Sequence, residues 1–298
     1  MSSILLLIVC LLLGWIVARI SKPPPNLAQG LNWWVLNVAF SALVLELIPK
    51  LRFDPHLWFL IASMWFVFLG AWAFFVMVGR ALHWSRARIG ALTLVCGLGN
   101  TAFIGFPLIE ALRGEEGLKL ALVADQAGTF IALGVGGTVV AALYSGAHVT
   151  TGEIVRKVLL FPPFVAFLVG IFVGLLGGWP TQFEPILERI GATLVPIALF
   201  TVGLQFRLNF GGGQMSAIAL ALAWKILLVP ILVYLAGIAL GVGGMVLTIA
   251  VLQAAMAPMI SAAILAEQNN LEPQLANTVL GIGILIAFIT VPIANTLL

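Results

Sequence analysis

Apolar runs of about twenty residues recur along the whole 298-residue chain, separated by short polar punctuation. At a rise of about 1.5 Å per residue, such a run covers a hydrocarbon core about 30 Å thick, so the pattern predicts membrane-crossing helices. Ten are read: Ser3–Ile20, Leu27–Ile48, Leu57–Gly79, Ile89–Leu112, Leu118–Tyr144, Val158–Gly177, Pro185–Phe206, Ser216–Leu240, Met245–Ala266 and Gln274–Leu298. Among the gaps, SKPPPN at Ser21–Asn26, RFDPH at Arg52–His56, RGEEG at Arg113–Gly117, GGWPTQ at Gly177–Gln182 and NFGGG at Asn209–Gly213 are rich in turn formers and too short to be domains. The first run has no basic leading segment and no A-x-A pattern, so it is expected to be a retained span and not a signal peptide.

Composition identifies the solvent of these helices. Hydrophobic residues make up 62% of the chain and charged residues 8%, against about 25% charged in soluble domains. Lipid must therefore surround most of the chain. The net charge of +3 arises from basic residues in the connectors, a pattern of membrane orientation rather than of nucleic-acid binding. Cys10 and Cys96 fall inside apolar runs without a CxxC spacing or a nearby His cluster, and read as buried thiols rather than a disulfide or metal site. No cofactor is expected.

Charge also distinguishes the two sides. Connectors after odd-numbered spans hold Arg19, Lys22, Arg80, Arg86, Arg88, Arg156, Lys157 and Arg207, which is eight; those after even-numbered spans hold Lys50, Arg52, Arg113, Lys119 and Arg189, which is five. The richer side is expected to be cytoplasmic, which puts both termini on the non-cytoplasmic side of a cell membrane. An even span count with both ends on one face fits two five-span halves, residues 1–145 and 158–298, joined by a cytoplasmic connector at 146–157. Because five is odd, the halves would be inverted repeats. An offset of about 157 residues lays TLVCGLGN (Thr93–Asn100) over VLQAAMAP (Val251–Pro258).

Polar and helix-breaking residues interrupt matching spans of the two halves. Gly97, Gly99, Asn100 and Thr101 lie near the centre of the fourth span, and Ala257 and Pro258 near that of the ninth. Inverted-repeat transporters place substrate at such broken helices, where half-helix ends face a cavity. Four stretches resemble the auxin efflux carrier family, which includes PIN-type carriers and bacterial malate or malonate permease-like proteins. They are GLGNTAFIGFPLI (Gly97–Ile109), FPPFVAFLVGIFVGLL (Phe161–Leu176), VPIALFTVGLQF (Val195–Phe206) and QAAMAPMISAAILAEQNNLEPQLANTVL (Gln253–Leu280). The resemblance implies an all-α membrane protein of ten spans, with a scaffold of spans 1, 2, 6 and 7 and a transport domain of spans 3–5 and 8–10. It also implies broken spans 4 and 9 crossing at the midplane, an elevator-like motion, a small organic anion substrate and a homodimer. The sequence departs from the family at Gly99, where PIN-type carriers have proline, and at MAP in the ninth span, where relatives have MP or LPQ.

An anion suits the chemistry. A half-helix N-terminus offers N–H donors and partial positive charge, and the Asn100 amide adds a donor for substrate or for freed backbone. The expected substrate-binding group is Gly99, Asn100, Thr101, Lys225, Gln253, Ala257 and Pro258, with Asp125, Gln126, Thr129 and Asn277 as coupling or polar support. Asp125 lies about 12 Å into the fifth span and reads either as a proton-coupling group or as a structural hydrogen-bond acceptor. Lys225, inside the eighth span, reads as a partner for Asp125 or a substrate carboxylate, or as a side chain that snorkels to the interface. Glu46 and Glu110 are expected to be solvated, and GVGG at Gly134–Gly137 to be a packing site. The three histidines, His56, His83 and His148, fall in connectors, and no nucleophile–base pair or GxSG motif accompanies them, which argues against an intramembrane enzyme. Rings of like charge for a channel are likewise not legible. The alternative carrier is a sodium-coupled symporter of the bile-acid type, with Asp125, Gln126, Gln253, Asn277 and Thr278 as candidate oxygen ligands.

Overall fold

The computed structural model describes residues 2–21, 23–52, 54–146, 150–205 and 214–298. The connector expected at Asn209–Gly213, and the residues Lys22, His148 and Arg207, lie outside them. Among the described residues all regular elements are helical. In chain order they are α1 (Ser2–Ile20), α2 (Leu27–Lys50), α3 (Leu57–Ala81), α4 (Arg86–Gly97), α5 (Gly105–Ser145), α6 (Thr151–Leu159), α7 (Pro162–Leu175), α8 (Glu184–Gln205), α9 (Met215–Ala239), α10 (Gly244–Ala254), α11 (Ile260–Gln268) and α12 (Pro273–Leu297). Six of these, α2, α3, α5, α8, α9 and α12, are long and apolar enough to cross a membrane; α1, α7 and α10 are shorter apolar helices.

Several expected boundaries change. The fourth run is two helices, α4 and the start of α5, separated by residues 98–104, and the ninth is α10 and α11, separated by residues 255–259. RGEEG, expected to be a turn, is helical except at Gly114, whose φ of 65° and ψ of −164° kink α5 there. After the kink, Lys119 bonds both Glu115 and Glu116 at 2.9 Å, one turn back along α5. The connector between the halves holds a helix of its own, α6.

The chain forms two compact units. The first comprises Met1–Asp54, Ala102–Leu122 and Leu159–Arg207. Here α1 packs along the second half of α8, so closely that a Cβ on Gly14 would lie 2.0 Å from the Phe200 carbonyl oxygen and one on Gly203 2.1 Å from that of Leu11. Small residues allow that approach, which is how helices associate where water supplies no driving force. Trp34 Nε1 donates to Thr193 Oγ1 at 3.1 Å and Trp179 Nε1 to the Leu45 carbonyl at 2.7 Å. Glu46, expected to be solvated, is buried, because Glu184–Gly191 packs across that turn of α2; Glu110 is exposed.

The second unit comprises Pro55–Thr101, Val123–Val158 and Leu208–Leu298. Its centre is α4, packed between α3, the end of α5, α11 and α12. Within GVGG, a Cβ on Gly136 would lie 2.4 Å from the Phe68 ring, and one on Gly134 2.7 Å from Val158. Close helix contact accounts for both glycines. Beside Ala132–Gly137, which contains GVGG, two further stretches of this unit widen into π turns, Ala124–Thr129 and Ala223–Leu228. Each carries one buried charge, Asp125 in the first and Lys225 in the second.

Candidate functional site

The helix interruptions meet inside the second unit. Gly99 and Pro258 form an isolated antiparallel bridge, with Asn100 N donating to the Ala257 carbonyl at 2.7 Å and Met259 N to that of Leu98 at 3.0 Å. The broken ends therefore satisfy part of each other's freed backbone, as buried peptide groups require. Pro258 has no N–H to offer a continuing helix, and its ring seats against Gly283 of α12, where a Cβ would lie 2.4 Å from Pro258 Cδ.

Lys225 reaches this crossover from its π turn. It is 0% exposed, and its Nζ donates at 2.9 Å to the carbonyl of Ala254, the last residue of α10. The same Nζ would lie 3.1 Å from a Cβ on Gly99. Of the two directions open to a long basic side chain, it takes the inward one. Trp224 beside it stacks on Phe74, with ring centroids 4.5 Å apart. No carboxylate pairs with Lys225 among the described residues.

Asp125 lies on the other flank of the bridge, 2% exposed. Thr101 Oγ1 donates to its Oδ1 in a short hydrogen bond, and Gln126 Nε2 donates to Oδ2 at 2.7 Å. Gln253 Nε2 reaches the Thr101 carbonyl at 3.4 Å, which joins α10 to the fourth-span break. Two buried oxygens in this group, Gln126 Oε1 and Thr129 Oγ1, have no hydrogen-bond partner among the described residues. Of the expected site residues, Gly99, Asn100, Thr101, Asp125, Gln126, Lys225, Gln253, Ala257 and Pro258 join through these contacts, and Thr129 lies one turn from Asp125. Asn277 is half-buried on α12 and outside this hydrogen-bond group, while its neighbour Thr278 bonds its own helix at Gln274.

Sequence reasoning missed the brace that holds α4. Ser85 caps α4 by accepting from Arg88 N at 3.1 Å, and donates its hydroxyl to Glu272 Oε1 at 2.8 Å. Arg88 Nε meets Glu272 Oε2 at 3.0 Å. Glu272 stands at φ 38° at the start of α12, so the starts of α4 and α12 are tied together. A Ser three residues before Arg88 was the only local signal for this. A cavity of about 220 Å³ lies elsewhere in the unit, lined by Thr138, Ala141, Glu153, Ile154, Leu265 and Asn269, and holds none of the crossover residues.

Comparison with known proteins identifies the class of this chain as a membrane transport protein rather than an enzyme. The chain belongs to the membrane transport protein family, the family of the auxin efflux carriers, whose model matches residues 1–294. An uncharacterized transporter of Methanothermobacter thermautotrophicus is 25% identical over 309 residues, covering 100% of this chain and 98% of the relative. One from Methanocaldococcus jannaschii is 25% identical over 227 residues, covering 71% of each. The uncharacterized transporter YfdV of Escherichia coli is 22% identical over 321 residues, covering 98% of this chain and 95% of the relative.

Proposed function

We propose that this membrane transporter is an elevator-type secondary carrier of a small organic anion, such as a carboxylate or an auxin-like indole acid, bound at the crossover. The observation that carries the reading is Lys225: a lysine ammonium with no carboxylate partner among the described residues, fully buried in a membrane protein, beside the backbone of two broken helices. Such a charge is costly in lipid and is retained where it serves a pathway. An anionic group between Lys225, the Asn100 amide and the start of α11 would compensate it. The N-cap of α11, Met259, supplies no side-chain cap, which leaves that half-helix end suited to an anion.

The rest of the reading follows the same architecture. Interruptions at corresponding places, paired as Gly99 with Pro258, support two inverted five-span repeats whose fourth and ninth spans cross near the midplane. The unit that contains the crossover is the candidate transport domain, and the unit built on α1, α2, α7 and α8 the candidate scaffold. A homodimer in the cell membrane, with both termini on the non-cytoplasmic side, completes the proposal. The test is equilibrium binding of a panel of carboxylates and indole acids to the purified protein in lipid nanodiscs. Saturable binding of one class, competed by its own members, is expected; absence of binding across the panel counts against the anion.

A further inference from the structure

We propose that Asp125, Thr101, Gln126 and Thr129 form a binding site for a monovalent cation, sodium, separate from the anion site at Lys225. Asp125 is 2% exposed and Thr101, Gln126 and Thr129 are 0%, 0% and 3% exposed, so the group has no access to bulk water as a general solvent. Among the described residues no Arg, Lys or His hydrogen-bonds this group: Asp125 is held by a hydroxyl and an amide, both neutral. Neutral donors orient a carboxylate without cancelling its charge, and an uncompensated charge in a buried setting is strongly unfavourable.

The oxygens that lack partners give the second observation. Gln126 turns its Nε2 to Asp125 Oδ2 at 2.7 Å, which leaves Oε1 of the same amide beside the carboxylate and without a donor. Thr129 Oγ1, one turn along the π-widened stretch Ala124–Thr129, is also unpartnered among the described residues. Two orphaned oxygens, one on the amide that bonds the carboxylate and one a turn along the same stretch, call for a guest that is positive and takes several oxygens at once. A proton occupies one carboxylate oxygen and serves at most one more acceptor. A hard cation takes carboxylate, amide and hydroxyl oxygens together. One carboxylate balances one positive charge, which favours a monovalent over a divalent ion, and the close packing of the group favours the smaller alkali ion. The Thr101 hydroxyl hydrogen-bonds Asp125 while its backbone carbonyl accepts from Gln253, so an ion here would bear directly on the fourth-span break. Coupling to the anion rests on the carrier reading; cation binding does not.

The test uses the full chain in nanodiscs without any organic anion. Thermal unfolding is followed while sodium chloride replaces choline chloride at constant ionic strength, with potassium chloride as a second control. Expected is a saturable rise in melting temperature with sodium and none with potassium or choline. Asp125→Asn should abolish the response. Thr129→Val, which nearly preserves shape, should raise the half-saturating sodium concentration at least tenfold, and Thr129→Ser should restore it. Equal responses to sodium and choline overturn the proposal, as does a sodium response that Asp125→Asn leaves intact. A response to pH with none to sodium also overturns it, in favour of a proton. Should Asp125→Asn fail to fold, the Thr129 pair decides alone. Sodium binding that survives while no anion binds would sink the carrier reading and leave this site standing.

Discussion

Lys225 Nζ donates to the carbonyl of Ala254 at 2.9 Å, and Ala254 is where α10 stops. The carbonyls of a helix's last turn have no intrahelical partner and carry the negative end of its dipole, so an ammonium there is doubly favourable. The same nitrogen faces Gly99, which makes the lysine both a cap for one broken helix and a positive charge at the crossover.

Replacing Lys225 by methionine keeps the aliphatic stem and removes both roles. A hydrogen bond to a charged group contributes about 1.5–3 kcal/mol, so the variant is expected to bind the best anion of the panel about ten- to a hundredfold more weakly. Gly99→Ala tests the same point from the other side, since its methyl would press on Nζ at 3.1 Å. That nitrogen ends a flexible chain, so folding should change little while anion affinity falls. Wild-type affinity in both variants would leave Lys225 as a helix cap alone.

Gly283→Ala is expected to be more damaging to the fold than Gly99→Ala. Its methyl would come within 2.4 Å of Pro258 Cδ and 2.8 Å of Cγ, and a proline ring cannot swing aside as a lysine tip can. Overpacking of this kind costs about 1–3 kcal/mol. Thermal melts in nanodiscs should show a lower midpoint, and a double variant with Pro258→Ala should recover part of it, because the clash then has no ring. An unchanged midpoint in Gly283→Ala would mean that α12 can move away from the crossover freely.

The apolar helices and both interruptions were legible in the sequence for simple reasons. A crossing helix requires a long apolar run, and Gly97, Gly99, Asn100 and Pro258 are conspicuous inside one. The direction of Lys225 was not legible, since four rotatable bonds allow it to reach either an interface or the Ala254 carbonyl, and that acceptor exists only because α10 ends there. Nothing in ADQAGT or AWKILL announces a π turn. Glu272 is far from Arg88 in sequence, 184 positions away, and such a pair is visible only after folding. RGEEG looked like a turn on composition, yet one glycine at positive φ was enough to make the bend.

Orientation is open to a direct measurement. Cys10 and Cys96 are both buried, so introduced cysteines report against a low background. Gly152 of α6 is exposed with open space around it, and the Glu116 side chain is 68% exposed. With the eight-to-five basic bias setting orientation, Gly152→Cys should resist an impermeant thiol reagent in intact cells and Glu116→Cys should react. The opposite pattern would invert the proposed topology.

The crossover itself yields the sharpest contrast between a polar side chain and a geometry. Asn100→Ala removes the amide but retains Asn100's backbone bond to Ala257, which the main chain makes at 2.7 Å. If the amide holds the substrate, the dissociation constant should rise about ten- to a hundredfold, on the same estimate of about 1.5–3 kcal/mol for a hydrogen bond to a charged group. Asn100→Asp should be worse, because a carboxylate there would repel an anion from a site that is 1% exposed. Pro258→Ala takes away no polar side chain and instead restores a backbone N–H, which allows α10 and α11 to run together and withdraws the start of α11 from the substrate. Its binding should fall as well, with far-ultraviolet circular dichroism showing equal or greater helix content. Size exclusion checks that each variant stays folded and of wild-type size. Folded variants that all bind the anion as wild type does would move the substrate site away from the Gly99–Pro258 bridge and leave the paired breaks as a packing device.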